Sequence, residues 1–290
     1  MNEAIGQILS GASIASILLL VALGLAIIYG TMGVINLAHG DFLMVGAYVT
    51  WFIQTYLGVG IVIELILVFI SVAALGWLCE RSIIRFLYRR PLDTMLATWG
   101  LGLILKQAIR LGVGPRLRYV KIPPALVPPV HILGTTQASF RVFIFGLTVA
   151  ILIATYLLIY RTRFGMRVRA VTQNPEIAKC FGINASQVYA LTFAYGCGLA
   201  GLAGALVAPI KSVYPDMGLG FVVNAFMVVV MGGVQTLFGT VASAAILGEL
   251  SGWLAFVLDD TIAQVIVFTL IIVVIRFRPE GLFTLHVRRA

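Results

Sequence analysis

Residues 32–42, MGVINLAHGDF, set Asn36, His39, Gly40 and Asp41 into an otherwise apolar stretch. More than twenty apolar residues precede them, and FLMVGAYV follows. Asn, Asp and Gly are poor helix formers, and Gly lets backbones approach closely. A helix broken here frees carbonyl and N–H groups, which must face protein or water, not lipid. Two readings follow. Either Asn36 and His39 line or brace a route for a polar solute, or the stretch is a turn near a membrane surface with Asp41 as N-cap of the next helix.

A second interruption, MGGVQTLFG at 231–239, shares Met-Gly, a valine, a leucine and a closing glycine with MGVINLAHG at 32–40. Paired Gly-interrupted hydrophobic segments point to a solute path, so Gly232 and Gly233 join Asn36, His39 and Gly40 as path candidates. Thr98, in LATWGLG, is a further polar candidate, expected to bond back within its own helix. Glu249 reads as deep in a span and Glu64 as closer to an outer surface, each a costly placement that is often functional. Gly196, Gly198, Gly201 and Gly204 give small-xxx-small spacings that permit close helix packing. In NPEIAKCFGI, 174–183, Asn174 and Pro175 suit the cap and first position of a short helix, and Gly182 suits its end.

Several chemistries lack their residues. There is no G-x-x-x-x-G-K-[ST] and no H-E-x-x-H. His39, His131 and His286 are too dispersed for a metal cluster, and Cys79, Cys180 and Cys197 have no metal or redox spacing. An intramembrane enzyme therefore has no visible constellation.

The elements that must position these groups are membrane helices. The chain has 290 residues, of which 61% are hydrophobic and 11% charged, against about 25% charged in soluble domains. Apolar runs cover roughly 8–35, 41–58, 60–80, 92–112, 140–160, 188–210, 219–233, 237–257 and 261–276. The run at 219–233 is short enough to be a half-helix, so the expectation is an all-α, polytopic transmembrane bundle of eight or nine segments in one domain, 1–290. The net charge of +9 reflects topology and not nucleic acid. Thirteen of the twenty Lys and Arg fall in three connections or tails, at 80–90, 161–179 and 276–289. The positive-inside rule assigns these to the cytoplasm, with the C-terminus, and puts the N-terminus outside. With no Lys or Arg before Arg81, the first span reads as retained. Segment 112–140 holds Pro115, Pro123, Pro124, Pro128 and Pro129 and reads as an extended external loop with a small hairpin at its end.

The ordered blocks GLAIIYGTMGVINLAHGDFLMVGAYV, GMRVRAVTQNPEIAKCFGI, LTFAYGCGLAGLAGAL, FMVVVMGGVQTLFGTV and RPEGLF resemble the branched-chain amino acid and urea family of ABC importer permeases. Within it the later blocks look most like the urea branch. Asn224, Tyr214, Gln235 and Asp41 depart from that branch's pattern. The resemblance implies one half of a permease heterodimer in a bacterial inner membrane. A second permease subunit, two cytoplasmic ATPases and a periplasmic binding protein complete it. ATP and Mg sit on the ATPases, with no cofactor on this chain. Residues 161–187 would be the coupling segment, with Arg163, Gly165, Arg167, Asn174, Glu176, Ala178 and Gly182 facing an ATPase. The substrate expected is urea or a short amide. The alternative is a branched-chain or other amino acid, and an autonomous channel or secondary transporter is the reading from another class.

Overall fold

The computed structural model describes residues 2–88, 90–132, 135–233, 236–278 and 281–283. Its helices are α1 Asn2–Met32, α2 His39–Tyr56, α3 Ile61–Ser82, α4 Pro91–Gly112, α5 Ser139–Arg161, α6 Arg163–Gln173, α7 Pro175–Cys180, α8 Ala185–Val207, α9 Gly218–Gly232, α10 Leu237–Val257 and α11 Asp260–Phe277. Strands β1 Val130–Ile132 and β2 Thr135–Gln137 pair antiparallel within the proline-rich loop, where a hairpin was expected. Five helices, α1, α3, α5, α8 and α10, are long and apolar enough to cross a membrane, while α9 and α11 are apolar but shorter. The protein is an all-α polytopic membrane bundle, and among the described residues each expected apolar run falls on one helix, α1 to α5 and α8 to α11.

The glycine-rich α8 forms the axis. Nearly every residue from Thr192 onward is buried, against α1, α2 and α3. Lipid tails are as apolar as leucine, so such helices associate through close packing of small residues instead of hydrophobic burial. Around this axis Phe42 meets Phe193 edge-on at 6.1 Å, and Phe69 meets Tyr195 at 5.8 Å.

Contacts define two ends. At the hairpin end, the Gln137 amide reaches the Gly6 carbonyl of α1, and Gln7 donates to Gly252 of α10. There Arg118 and Val213 exchange backbone hydrogen bonds of 2.9 Å, and the Arg118 guanidinium lies 4.6 Å from the Trp51 ring centre, near the end of α2. At the opposite end Tyr88 packs on Tyr189 at the start of α8. The segment after α11 also returns there, and its Leu282 N–H donates to Met231 of α9.

Two helices start inside the bundle. α1 stops where Gly33 takes φ +66°, a conformation that L side chains rarely adopt. Residues 33–38 then run without helical structure before α2 begins and heads for the hairpin end. α9 has only 15 residues and begins beside the start of α2, but runs to the other end. The two helices thus start side by side and run in opposite directions.

Candidate functional site

The nonhelical stretch between α1 and α2 concentrates buried polar groups. Asn36 is 1% exposed and His39 fully buried. The Asn36 Oδ1 accepts from the Ala38 N–H at 3.1 Å, while its Nδ2 is buried without a partner among the described residues. The His39 Nε2 lies 3.0 Å from the Val21 carbonyl of α1. A carbonyl only accepts, so Nε2 carries the proton, and the buried Nδ1 is left without a partner. His39 thus ties the start of α2 to α1.

Asp41 does not cap α2 as expected. Ala38 occupies the cap position with no side-chain bond, and Asp41 stands in the first turn. The carboxylate instead faces α4, where Lys106 Nζ lies 3.6 Å from Oδ1. The physical reason is the half-buried ammonium of Lys106, a stronger partner than a backbone N–H. Asn36 takes over the role of satisfying a free N–H at the helix start.

α4 supplies a stripe of groups four residues apart. The Thr94 hydroxyl bonds the Arg90 and Leu87 carbonyls, both at 2.9 Å. Thr98 does more than bond its own helix. Its hydroxyl oxygen accepts from the Leu37 N–H at 3.2 Å, and its proton faces the Met95 carbonyl at 3.0 Å and that of Ile35 at 3.4 Å. Gly102 lies against the Asp41 carboxylate, where any side chain would collide. Lys106 pairs with Asp41, and Arg110 with Asp216 at 2.7 Å, two residues before α9. One face of α4 therefore reaches the broken backbone and both short-helix starts. Sequence reading found Thr98 but missed Lys106 and Arg110. The repeat 94, 98, 102, 106, 110 was the available signal, since residues four apart share a helix face.

At the junction the Gly40 backbone lies against that of Gly218, so a methyl group on either glycine would strike the other's carbonyl. Asn36, His39, Gly40 and Thr98 thus share one neighbourhood. Gly232 and Gly233 do not belong to it, because they close α9 about 21 Å from Gly218 along the helix. There Gly233 turns the chain with φ +89°, and the Thr236 hydroxyl lies 3.2 Å from both the Gly232 and Gly233 carbonyls. Like 32–40, the stretch 231–239 follows a helix ended by a glycine at positive φ, Gly33 at +66° after α1 and Gly233 at +89° after α9. Gln235 lies outside the described residues. Of the two acids, Glu249 is half-buried against Gly11 of α1, and Glu64, 4% exposed, stands in the first turn of α3 beside Gln54.

The basic stretch before Asn174 is itself helical. Thr162 caps α6 by accepting from the Gly165 N–H at 3.2 Å, and Gly165 lets α6 fold back onto the Ile159 carbonyl of α5. Arg163 and Arg167 lie exposed on α6. Asn174 caps α7 as expected, accepting from the Glu176 and Ile177 N–H groups at 3.0 and 3.1 Å. Gly182, at φ +76°, ends it. Its N–H bonds the Lys179 carbonyl at 2.9 Å, and the Ile183 N–H bonds Ala178 at 3.1 Å, the paired closure of a Schellman motif. Ala178 is buried with Val168, Val171, Ala185 and Val188, fixing both short helices to α8. Outward they present Met166, Ile177 and Phe181, all more than half exposed, around a groove of about 390 Å³.

Comparison with known proteins matches this architecture to transport. The chain is 28% identical to the high-affinity branched-chain amino acid transport system permease protein BraD of Pseudomonas aeruginosa, over 95% of this chain and 94% of that protein. It is 28% identical to the LivH permease protein of Salmonella typhimurium over the same shares. Identity to a probable LivH permease of Methanocaldococcus jannaschii is 30%, covering 83% of this chain and 78% of the relative. No solved structure is significantly similar. The profile of the family described as branched-chain amino acid transport system, permease component, spans residues 7–275, and the chain belongs to that family.

Proposed function

We propose that this chain is a membrane-spanning permease subunit of an ABC importer for branched-chain amino acids, working by alternating access. The observation that carries the reading is the family match over nearly the whole chain, joined to the fixed α6–α7 platform. Its exposed Met166, Ile177 and Phe181 suit a docking groove on an ATPase, because apolar anchors carry most interface energy. Arg163, Gly165, Arg167, Asn174, Glu176, Ala178 and Gly182 build or flank that platform. The Arg-rich end is then cytoplasmic and the hairpin end external, in a bacterial inner membrane. A second permease subunit, two ATPases holding ATP and Mg, and a periplasmic binding protein complete the complex. Asn36, His39, Gly40 and Thr98 line or brace the path.

Urea, expected from the later sequence blocks, has less support than a branched-chain amino acid, because the relatives named above carry the latter in their names. The test is ATPase activity of the assembled complex in proteoliposomes. Leucine-loaded binding protein is expected to stimulate it, and stimulation by urea but never by leucine would reverse the assignment. Solute flux through this chain alone, without ATP, would favour an autonomous channel.

A further inference from the structure

Lys106 and Asp41 form an ion pair inside the bundle, with side chains 18% and 9% exposed. Removing two charges from water costs several kcal/mol per ion even after relaxation. Such residues in membrane segments pair with one another and mark solute pathways. This pair is also loose. At 3.6 Å it exceeds the 2.7–2.9 Å or so of a direct charged hydrogen bond, so the Lys106 ammonium, with three donors, keeps capacity for another acceptor.

Its position adds a direction. Asp41 stands in the first turn of α2, and Gly40 beside it touches Gly218 at the first turn of α9. Two helix N-termini, each the positive end of a macrodipole, therefore converge on the pair. Asn36 points to a ligand independently. Its Oδ1 accepts the Ala38 N–H just before α2, and the amide is 1% exposed, with Nδ2 donating to no described residue. Asn36 and Asp41 stand five residues apart at the break between α1 and α2, so the free amide, the helix starts and the ion pair belong to one junction.

We infer that Asp41 and Lys106 are the binding pair for the charged ends of a zwitterionic amino acid. The substrate carboxylate takes Lys106, the Asn36 amide and the helix starts, and the substrate ammonium takes Asp41. The inference rests on the proposed amino acid substrate and deepens it. Exchange of partners leaves no unpaired charge inside the bundle, with substrate or without it. A neutral molecule such as urea has no charges to exchange with the pair. In the present conformation the Gly40–Gly218 contact closes the junction, so substrate meets the pair when α2 and α9 separate.

The test must part binding from structural glue. Asp41→Asn, Lys106→Gln, the double variant Asp41→Asn with Lys106→Gln, and the exchange Asp41→Lys with Lys106→Asp are assembled with the partner subunits and binding protein. Radiolabelled leucine uptake is then measured in proteoliposomes. A merely structural pair is destabilising when halved, and is restored when both charges are removed or exchanged. A binding pair stays defective, with uptake lowered about 10- to 100-fold in assembled double and exchange variants, as expected for lost hydrogen bonds to charged groups. Near wild-type uptake by either would overturn the assignment. Failure of both to assemble would do the same, by making the pair structural. A wild-type complex that imports urea and no leucine would instead sink the proposed substrate, and this inference with it.

Discussion

The Thr98 hydroxyl reaches the nonhelical backbone from another helix, accepting from the Leu37 N–H. Thr98→Val keeps the shape and removes the acceptor. Leaving a buried donor unmade costs about 1–3 kcal/mol, so the assembled complex should unfold at lower temperature, and Thr98→Ser should restore it. An unchanged unfolding temperature for Thr98→Val would mean that Leu37 finds another acceptor. At this scale the sequence was legible where chemistry is local. Asn36 and His39 stood out because polar groups interrupt an apolar run, and Asn174 and Gly182 because capping rules depend on neighbouring residues alone. Asp41 was misread for a related reason. Its acidity and place suggested a cap, but its partner Lys106 lies 65 residues away and no local rule connects them.

Among the elements, α6 and α7 make the sharpest commitment. Their inner residues Val168, Val171 and Ala178 hold them to α8, while Ile177 and Phe181 are 56% and 80% exposed. Ile177→Asp and Phe181→Asp should leave the bundle folded and reduce ATPase association. Truncating an interface anchor costs about 2 kcal/mol or more, roughly thirty-fold in affinity. Co-purification of the ATPases with each variant measures it, and full retention would separate this platform from coupling. Helix existence was readable here and helix partnership was not. Each apolar run falls on one helix of the described residues, because length and hydropathy are properties of one segment. The match between 32–40 and 231–239 marked two glycine-ended helices, but likeness of sequence did not say that the start of α9, and not its end, lies beside the start of α2.

For the whole molecule, the head-to-head start of α2 and α9 accounts for the nonhelical backbone that a chain this apolar keeps inside it. Irregular backbone survives at membrane depth only where protein or a cavity surrounds it, and here α4, α1 and α8 supply that enclosure. The same architecture fixes an external dimension. α1 has 31 residues and rises about 46 Å, against a hydrocarbon core of roughly 30 Å. Its first turns are held at the hairpin end through Gly6 and Gln7, while His39 grips it at Val21. A helix pinned at both places meets a thinner or thicker bilayer by tilting as a rigid lever, not by sliding. That tilt reaches the start of α2 through the His39 bond. Leucine uptake should therefore pass through a maximum as lipid acyl chains are lengthened, with His39→Ala flattening the curve, and a thickness-independent rate would remove the lever. On that outcome the bilayer is a mechanical input to the permease as well as its solvent.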